Sequence, residues 1–514
     1  MNFTNHVSLV TVYGDQRTPG MPTDFQGRRV VILGLARQGV ALARYLAQAG
    51  ARVVVSDAEP AEKLAANIAA LSDLPIEYAL GGHPLTLLDG ADLVCLSGGV
   101  SADLPLAQEV RRRGVALSND SQVFLEACPA GATVVGITGS AGKTTTTTLV
   151  GRMCQAVGPR PPLSKQFPTG EGETDTPSPA SERSGGGRGR GMGGAVWVGG
   201  NIGNTLIADV HRVRAGDIVV MELSSFQLEI MTLSPQVAAV LNITPNHLDR
   251  HGTMEAYAAA KSHILLHQSA TDVAVLGLDD SGARTLIPLV PGRVAYFSGE
   301  RPVDEGTFLR DEKIVFRRAG REHTVCAVKD IQLRGRHNVL NVLAACAISG
   351  AAGAAPEAMR AGIEGFGGVE HRLEFVRERE GVKWYNDSIA SAPERVIAAI
   401  RSFDEPIVLL AGGRDKKLPW GEFARLAQDR VKHVVLFGEA GPLIQDALEG
   451  ANMPPARYTR CAGLAEALLV AAGKARSGDV VLLSPGGASF DEFRDFAERG
   501  EKFKEWVREL SSMD

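Results

Sequence analysis

Cysteine is scarce and scattered in this chain. Its six cysteines (Cys95, Cys128, Cys154, Cys326, Cys346, Cys461) show no CxxC or Cys/His ligand spacing, so neither a disulfide framework nor a zinc site is indicated, and a reducing cytoplasm fits. Long apolar runs are missing as well. No stretch supplies the roughly 18 uninterrupted apolar residues of a membrane span, and Asn5, His6, Asp15, Gln16 and Arg17 break up any export signal. Charge of one sign is also lacking: a formal net charge of −5 gives no general attraction to nucleic acid or to an anionic membrane. Anion binding must therefore be local. No short-period repeat is present, which excludes a solenoid. The expectation is a cytoplasmic protein, monomeric, without nucleic-acid partner or membrane insertion.

What is present is enough sequence for several cores. At 514 residues the chain exceeds one hydrophobic core and suggests about three domains. After a polar leader (1–24), residues 29–33 form an apolar run, followed by the turn Gly34 to Gly39 and an Ala/Leu-rich helical pattern to Gly50. A strand at 51–56 ends in Asp57, and another at 91–96 ends in Ser97-Gly98-Gly99. Strands alternating with helices predict a parallel sheet over 25–124 with ligand at the carboxyl ends of its strands, where Gly34, Arg37, Gln38, Asp57, Gly99 and Val100 stand. The turn is GxxxxG and not GxGxxG, so a dinucleotide site is poorly supported.

A second unit, 125–368, opens with an apolar strand at 132–137 that runs into Thr138-Gly139-Ser140-Ala141-Gly142-Lys143-Thr144-Thr145 and a helix. Residues 158–194 turn to Pro, Gly, Ser and Arg and are expected to form a disordered insertion, because they cannot bury enough apolar area to offset ordering entropy. Strands follow at 217–223 and 237–243, then a long Ala-rich helix through Tyr257 to residue 266. The last unit, 369–514, repeats the rhythm with strands at 407–411, 431–437 and 480–483. The fold class expected is α/β with three domains: an N-terminal Rossmann-like domain, a central P-loop-type ATPase domain with a mainly parallel sheet, and a C-terminal Rossmann-like domain.

A loop that cradles polyphosphate needs glycines for close backbone approach, a lysine to neutralise charge and a hydroxyl for magnesium. Gly139, Gly142, Lys143 and Thr144 supply these between strand and helix, with Ser140, Ala141 and Thr145 completing the segment. The generic GxxxxGK[ST] pattern would place glycine at Ile137, so the match is to a shorter form. Glu222 closes an apolar strand, where a carboxylate can reach such a magnesium or simply cap and pair. His247 follows another strand end, a place where a lone histidine is more often structural. Lys261, by periodicity alone, is a solvated lysine on an Ala-rich helix.

The segment 138–145 resembles the nucleotide loop of the Mur ligase family. Gly199-Gly200-Asn201-Ile202-Gly203, Glu222-Leu223-Ser224-Ser225-Phe226-Gln227-Leu228-Glu229 and Asn246-His247-Leu248-Asp249-Arg250-His251 are similar to its D-glutamate-adding branch. The resemblance runs from about residue 25 to the C-terminus, except the insertion. It implies an ATP-dependent ligase acting on UDP-N-acetylmuramoyl-L-alanine and D-glutamate in peptidoglycan synthesis. It also implies Mg2+, expected in two positions, held by Thr144, Glu222, His247 and a CO2-derived carbamate on Lys261. Asn338 and Asn341, in a GxHNxxN-like segment, would help hold ATP, with Arg372 on its phosphates and Asp387 on its ribose. Asn201 would contact the muramoyl-diphosphate portion. Lys416, Ser489 and Ser391, a serine where the family has threonine, would bind the D-glutamate side-chain carboxylate, with Phe496 lining that pocket. Where the family often has lysine the chain has Ile389, so that contribution is absent or supplied elsewhere.

Three rivals remain in view. Another ligase of the superfamily, L-alanine-adding or folate-polyglutamate, would keep the loop and the carbamate site, and the 222–229 segment argues against it. An oxidoreductase would need a convincing GxGxxG. A catalytically silent nucleotide-binding protein should have lost Lys143, Glu222 or Lys261, and all three are present.

Overall fold

The computed structural model describes residues 24–156, 194–201 and 205–510. The leader, all but its last residue, and the expected insertion, but for Gly194, lie outside the described residues. The chain divides into two compact units, Met1–Ile331 with His337–Glu364, and Gln332–Arg336 with Gly365–Asp514. The first carries two sheets and the second carries one.

The first sheet is wholly parallel: β1 (Arg29–Leu33), β2 (Arg52–Asp57), β3 (Ile76–Leu80), β4 (Leu93–Leu96) and β5 (Ala116–Asn119), in the order β3-β2-β1-β4-β5. The order reverses between β1 and β4, which opens a crevice at their carboxyl ends. Val30, Val31, Ile32 and Leu33 of β1 are fully buried, as expected of a strand covered on both faces.

The second sheet has nine strands, in the order β14-β13-β12-β11-β10-β9-β6-β8-β7. They are β6 (Thr133–Thr138), β7 (Val196–Gly200), β8 (Ile218–Glu222), β9 (Val237–Val240), β10 (Val273–Gly277), β11 (Arg293–Ser298), β12 (Gly306–Arg310), β13 (Lys313–Arg318) and β14 (Arg321–Ala327). Strands β7 to β12 run parallel with β6, while β13 and β14 add antiparallel hairpins. These hairpins escape the sequence pattern because their turns, Asp311-Glu312 and Ala319-Gly320, put positive φ on residues other than the usual Asn-Gly. Strand β9 stops at Val240, shorter than the 237–243 expected, because Asn242 turns aside to the phosphate loop.

In the second unit β15 (Glu374–Arg379), β16 (Val382–Asn386), β17 (Ile407–Gly412), β18 (Val431–Phe437), β19 (Tyr458–Arg460) and β20 (Val480–Gly486) form a sheet in the order β15-β16-β20-β17-β18-β19. It is parallel apart from the β15–β16 hairpin. Again the reversal, here between β20 and β17, gathers loops at the strand ends. All six cysteines are free thiols, and no helix among the described residues is long and apolar enough to cross a membrane.

Candidate active site

Strand β6 delivers the phosphate loop to the centre of its sheet, flanked by β8 and β9. The helix Lys143–Gln155 starts from Gly142, whose φ of +82° suits glycine and whose added Cβ would lie 2.2 Å from Asn341 Oδ1. This thirteen-residue helix begins at the loop, and the N-terminus of a helix, with its amides and the positive end of its dipole, is a ready place for phosphate. Lys143 donates to the carbonyls of Gly139 at 2.7 Å and Ser140 at 3.4 Å, folding its ammonium over the loop. Asn242 braces the other side: its Oδ1 accepts from the Ala141 amide at 2.8 Å and its Nδ2 donates to the Ala141 carbonyl at 3.2 Å.

Glu222, at the end of β8, is buried. Its Oε2 accepts from Thr144 Oγ1 at 2.9 Å and its Oε1 from Asn201 Nδ2 at 3.1 Å. A hydroxyl and a carboxylate side by side at a phosphate loop are the hard oxygen donors that magnesium prefers, so these residues fit the cation. Thr145 follows Thr144 in the first turn of the helix.

Lys261 departs most from its sequence pattern. It is 1% exposed on the helix Met254–Leu266, and its Nζ reaches Thr138 Oγ1 at 3.2 Å and the Gly139 carbonyl at 3.1 Å. The Tyr257 ring, one turn earlier, lies 4.7 Å from the ammonium, and Tyr257 donates to Ser140 Oγ at 3.2 Å. Burial, aided by the Lys143 charge and opposed by Glu222, pushes the Lys261 pKa down to about 7. The site therefore favours the neutral amine far more than water does, with an oxygen-rich loop beside it.

His247 sits in left-handed backbone (φ 52°) at the start of the short helix Leu248–His251. Its ring meets Phe226 edge-on at 5.2 Å, while Phe226 stacks parallel on His251 and carries the Arg250 guanidinium 4.0 Å above its face. Ser225 Oγ is 2.9 Å from His251 Nε2. The 222–229 and 246–251 segments, far apart in sequence, are therefore one packed patch. Asn341 donates to Asn338 Oδ1 at 2.9 Å, and both lie on the helix Arg336–Ala351.

At the first sheet, Gly34 (φ +93°) is closed in by Val100 and Ser97, whose Cγ2 and Cβ would lie 2.8 and 3.0 Å from an added Cβ. Asp57 Oδ2 accepts from the Leu35 amide at 2.7 Å, so this carboxylate shapes the turn. Gln38 Oε1 accepts from the Gly98 amide at 3.1 Å, beside Gly99, while Arg37 begins the following helix and is exposed. Asp57 and Gln38 thus brace the loops at the carboxyl ends of β1 and β4.

In the second unit the ends of β16, β17 and β20 converge. Asp387 is buried, accepting from Ser484 Oγ at 2.8 Å and the Leu373 amide at 3.2 Å. Burial raises its pKa to about 7, against those hydrogen bonds and the nearby Arg372 and Arg395 charges. Arg372 itself is exposed. Lys416 donates to Ser391 Oγ at 2.9 Å, and Ser489 is buried in the loop after β20. Phe496, 40% exposed, presents its ring edge-on to His371 at 6.0 Å. Sequence reasoning missed Arg499. It is 1% exposed and donates to Ser388 Oγ, the Ser388 carbonyl and the carbonyls of Gly487 and Ala488 at 2.9–3.2 Å. One helical turn after Phe496, it ties both loops together; a charged residue on an exposed-looking helix gave no signal. Asn242 was equally silent, lying inside what read as a strand.

A phosphate loop at the heart of a largely parallel sheet, with acidic and hydroxyl oxygens at its side and separate Rossmann-like sheets before and after it, defines a multidomain nucleotide-dependent enzyme. Three family descriptions match along the chain: Mur ligase MurD-like, N-terminal domain over 28–119; Mur ligase middle domain over 192–349; and Mur ligase, glutamate ligase domain over 371–487. The UDP-N-acetylmuramoylalanine--D-glutamate ligase of Symbiobacterium thermophilum is 41% identical over 94% of this chain and 98% of its own, and that of Acetivibrio thermocellus 37% over 95% and 97%. The chain belongs to the Mur ligase family. MurF of Acinetobacter baumannii shares the fold at a TM-score of 0.53 and 17% identity, covering 94% of this chain and 93% of that one. The UDP-N-acetylmuramate-alanine ligase of Thermotoga maritima does so at 0.51 and 19%, covering 94% and 99%.

Proposed function

We propose that this protein joins UDP-N-acetylmuramoyl-L-alanine to D-glutamate with cleavage of ATP to ADP and phosphate, a step in peptidoglycan precursor synthesis. The observation that carries the reading is the attachment of both Glu222 and Lys261 to the phosphate loop and the elements beside it, Glu222 through Thr144 in the first turn of the helix and Lys261 through Thr138 and Gly139. The near full-length likeness to D-glutamate ligases supports the choice of substrates.

The L-alanyl carboxylate attacks the γ-phosphorus of ATP, the bond from that phosphorus to the β-γ bridging oxygen breaks, and ADP leaves. Lys143 exchanges its loop carbonyls for phosphate oxygens and offsets their charge, and the loop amides hold the remaining phosphates. Thr144 and Glu222 would hold one magnesium ion, and His247 and a carbamate on Lys261 would serve a second; when bound, these ions would supply charge neutralisation. To form that carbamate the neutral Lys261 amine would attack the carbon of CO2: an N–C bond forms, one C=O π bond breaks with its electron pair passing to oxygen, and the nitrogen loses a proton. The acyl phosphate is then attacked by the amine of D-glutamate; the tetrahedral intermediate expels phosphate and the nitrogen loses a proton, leaving an amide. Lys416, Ser391 and Ser489 bind the amino acid, Phe496 borders it, and Asp387, Arg372, Asn338 and Asn341 hold ATP. Gly34, Arg37, Gln38, Asp57, Gly99, Val100 and Asn201 serve the nucleotide sugar. The division into 25–124, 125–368 and 369–514, a monomeric state and a cytoplasmic location complete the proposal.

The test is phosphate release from ATP with the nucleotide sugar, comparing D-glutamate with L-glutamate, L-alanine, meso-diaminopimelate and no amino acid. Release that requires D-glutamate, with the product mass of the amide, is expected. Release with another acceptor refutes the specificity, and no release with any acceptor refutes the enzyme.

A further inference from the structure

Five polar residues are almost wholly buried where the first two sheets meet: Asn119, Asp120, Ser121 and Gln122, which end β5 and open the helix Asp120–Ala127, and Gln227 from the segment after β8. Burying so much polarity is costly unless each group is satisfied; the Gln122 side chain turns to Glu126, Thr232 and the Leu233 amide, and Gln227 is bonded to the other three. Gln227 Nε2 donates to Ser121 Oγ at 2.9 Å and to Asp120 Oδ1 at 3.4 Å, and its backbone carbonyl accepts from Asn119 Nδ2 at 2.8 Å. Its Oε1 accepts from the Ser224 amide at 3.1 Å and hydroxyl at 2.9 Å, two residues beyond Glu222. On the other side the Gln38 side chain lies near enough to the Asp120 carboxyl to favour its charged form, and Gln38 Oε1 takes the Gly98 amide at 3.1 Å. Gly98 has no room for a side chain, because a Cβ there would lie 2.2 Å from Gln38 Oε1.

A continuous line therefore runs from the loop after β4, through Gln38, Asp120 and Gln227, to the turn that carries Glu222. We infer that Asp120 is a positioning residue which sets the crevice of the first sheet in register with the metal-binding end of β8, so that a bound nucleotide sugar presents its carboxylate to the phosphate loop. The inference rests on the proposed function for what occupies the crevice. Asp120 is suited to this place because a carboxylate only accepts, and both amide groups facing it, from Gln38 and Gln227, can donate. Burial pushes its pKa up to about 6, and those donors favour the charged form.

The donor–acceptor logic gives a swap test in the full-length enzyme. Asp120→Asn turns an NH2 group toward the NH2 of Gln38 or Gln227. Gln38→Glu sets two carboxylates together. In the double variant the amide introduced at position 120 donates to the new carboxylate, which still accepts from Gly98, and Gln227 still donates to the introduced amide's carbonyl. Each single variant should raise the KM for the nucleotide sugar about tenfold or more and lower kcat, with the KM for ATP unchanged, and the double variant should recover at least about tenfold of the combined loss. A merely structural role would lower kcat through lost active protein and leave both KM values alone, with a lower melting temperature. That pattern, single variants with wild-type kinetics, or losses that simply multiply in the double variant overturns the inference. D-glutamate-dependent phosphate release by the wild type establishes the functional reading separately; wild type that releases none overturns that reading first and this inference with it.

Discussion

The Lys261 ammonium lies 3.1 Å from the carbonyl of Gly139, so the lysine that looks solvated in sequence is fastened to the loop meant for phosphate. A buried cation beside a second cation, Lys143, has little reason to stay protonated. The proposed carbamylation would relieve that situation by converting the cation to an anion that magnesium can satisfy. Lys261→Ala should lose most activity and regain part of it with added small carboxylates such as formate. Because the Lys261 pKa is lowered to about 7, the amine gains its lone pair as pH rises through that value, so carbamate should build up above pH about 7 and fade below it. Carbon NMR with isotopically labelled bicarbonate reads this directly. A wild-type spectrum at pH about 8 identical to that of Lys261→Ala would sink the carbamate assignment.

Thr144 and Glu222 share one hydrogen bond of 2.9 Å, and a substitution can keep the bond while removing the charge. Glu222→Gln still accepts from Thr144 but offers magnesium a neutral oxygen. The expected result is a fall in kcat of about a hundredfold or more, with a higher magnesium concentration needed for half-maximal rate. A melting temperature close to wild type separates this from unfolding. Unchanged magnesium dependence would remove Glu222 from the metal site.

Gly142 combines a positive φ with a neighbour in the way, Asn341 Oδ1 at 2.2 Å from any added Cβ. Alanine there carries about 1–2 kcal/mol of left-handed strain and displaces the Asn341 amide. The KM for ATP should rise about tenfold, since about 1.4 kcal/mol is tenfold in binding, while the KM for the nucleotide sugar holds. Equal changes in both would place the effect in the fold as a whole.

How much of this was visible beforehand follows from what each signal depends on. Loop and strands were legible because Gly139, Gly142, Lys143 and Thr144 are local in sequence, and the buried strands β1, β6 and β18 are apolar runs that need no tertiary context. The hairpins β12 to β14 were not, because their turns place Asp311, Glu312 and Ala319 where glycine or asparagine would normally announce a reversal. Only the resemblance singled out Lys261, since its helix is too alanine-rich for periodicity to tell the inner face from the outer. Asn242, Asp120 and Arg499 reach Ala141, Gln227 and Ser388, which stand 101, 107 and 111 residues away, and no spacing rule extends that far.

Asp387 links the second unit's stability to pH. Its folded pKa, raised to about 7 by burial, exceeds the ordinary value of 3.8, so the folded state keeps a proton that the unfolded chain has lost between those values. Stability from this group is full below pH about 4 and is lost as pH rises through about 7; the displacement is worth at most about 4 kcal/mol. Asp387→Asn holds a neutral group at every pH. Its melting temperature relative to wild type should therefore climb between pH of about 5 and about 8, by about a few degrees. A flat difference would show that the carboxyl titrates near its unfolded value.

Arg499 offers the sharpest separation of scaffold from ligand contact in the second unit. Its guanidinium is buried, its pKa drawn down to about 10 by that burial and held up by Asp491 and Glu492, and it satisfies four acceptors on two loops at once. One loop leads to Ser391 and the other to Ser489, so both proposed D-glutamate hydroxyls depend on it without its touching substrate. A lysine keeps the charge but cannot fork across Ser388, Gly487 and Ala488 together. Arg499→Lys should accordingly raise the KM for D-glutamate about tenfold, with the KM for ATP less affected, and Arg499→Met should do more and lower the melting temperature by several degrees, since it leaves the buried carbonyls unpaired. If Arg499→Lys alters the KM for ATP as much as that for D-glutamate, the residue supports the sheet generally and the assignment of Ser391 and Ser489 to the amino-acid pocket loses this support.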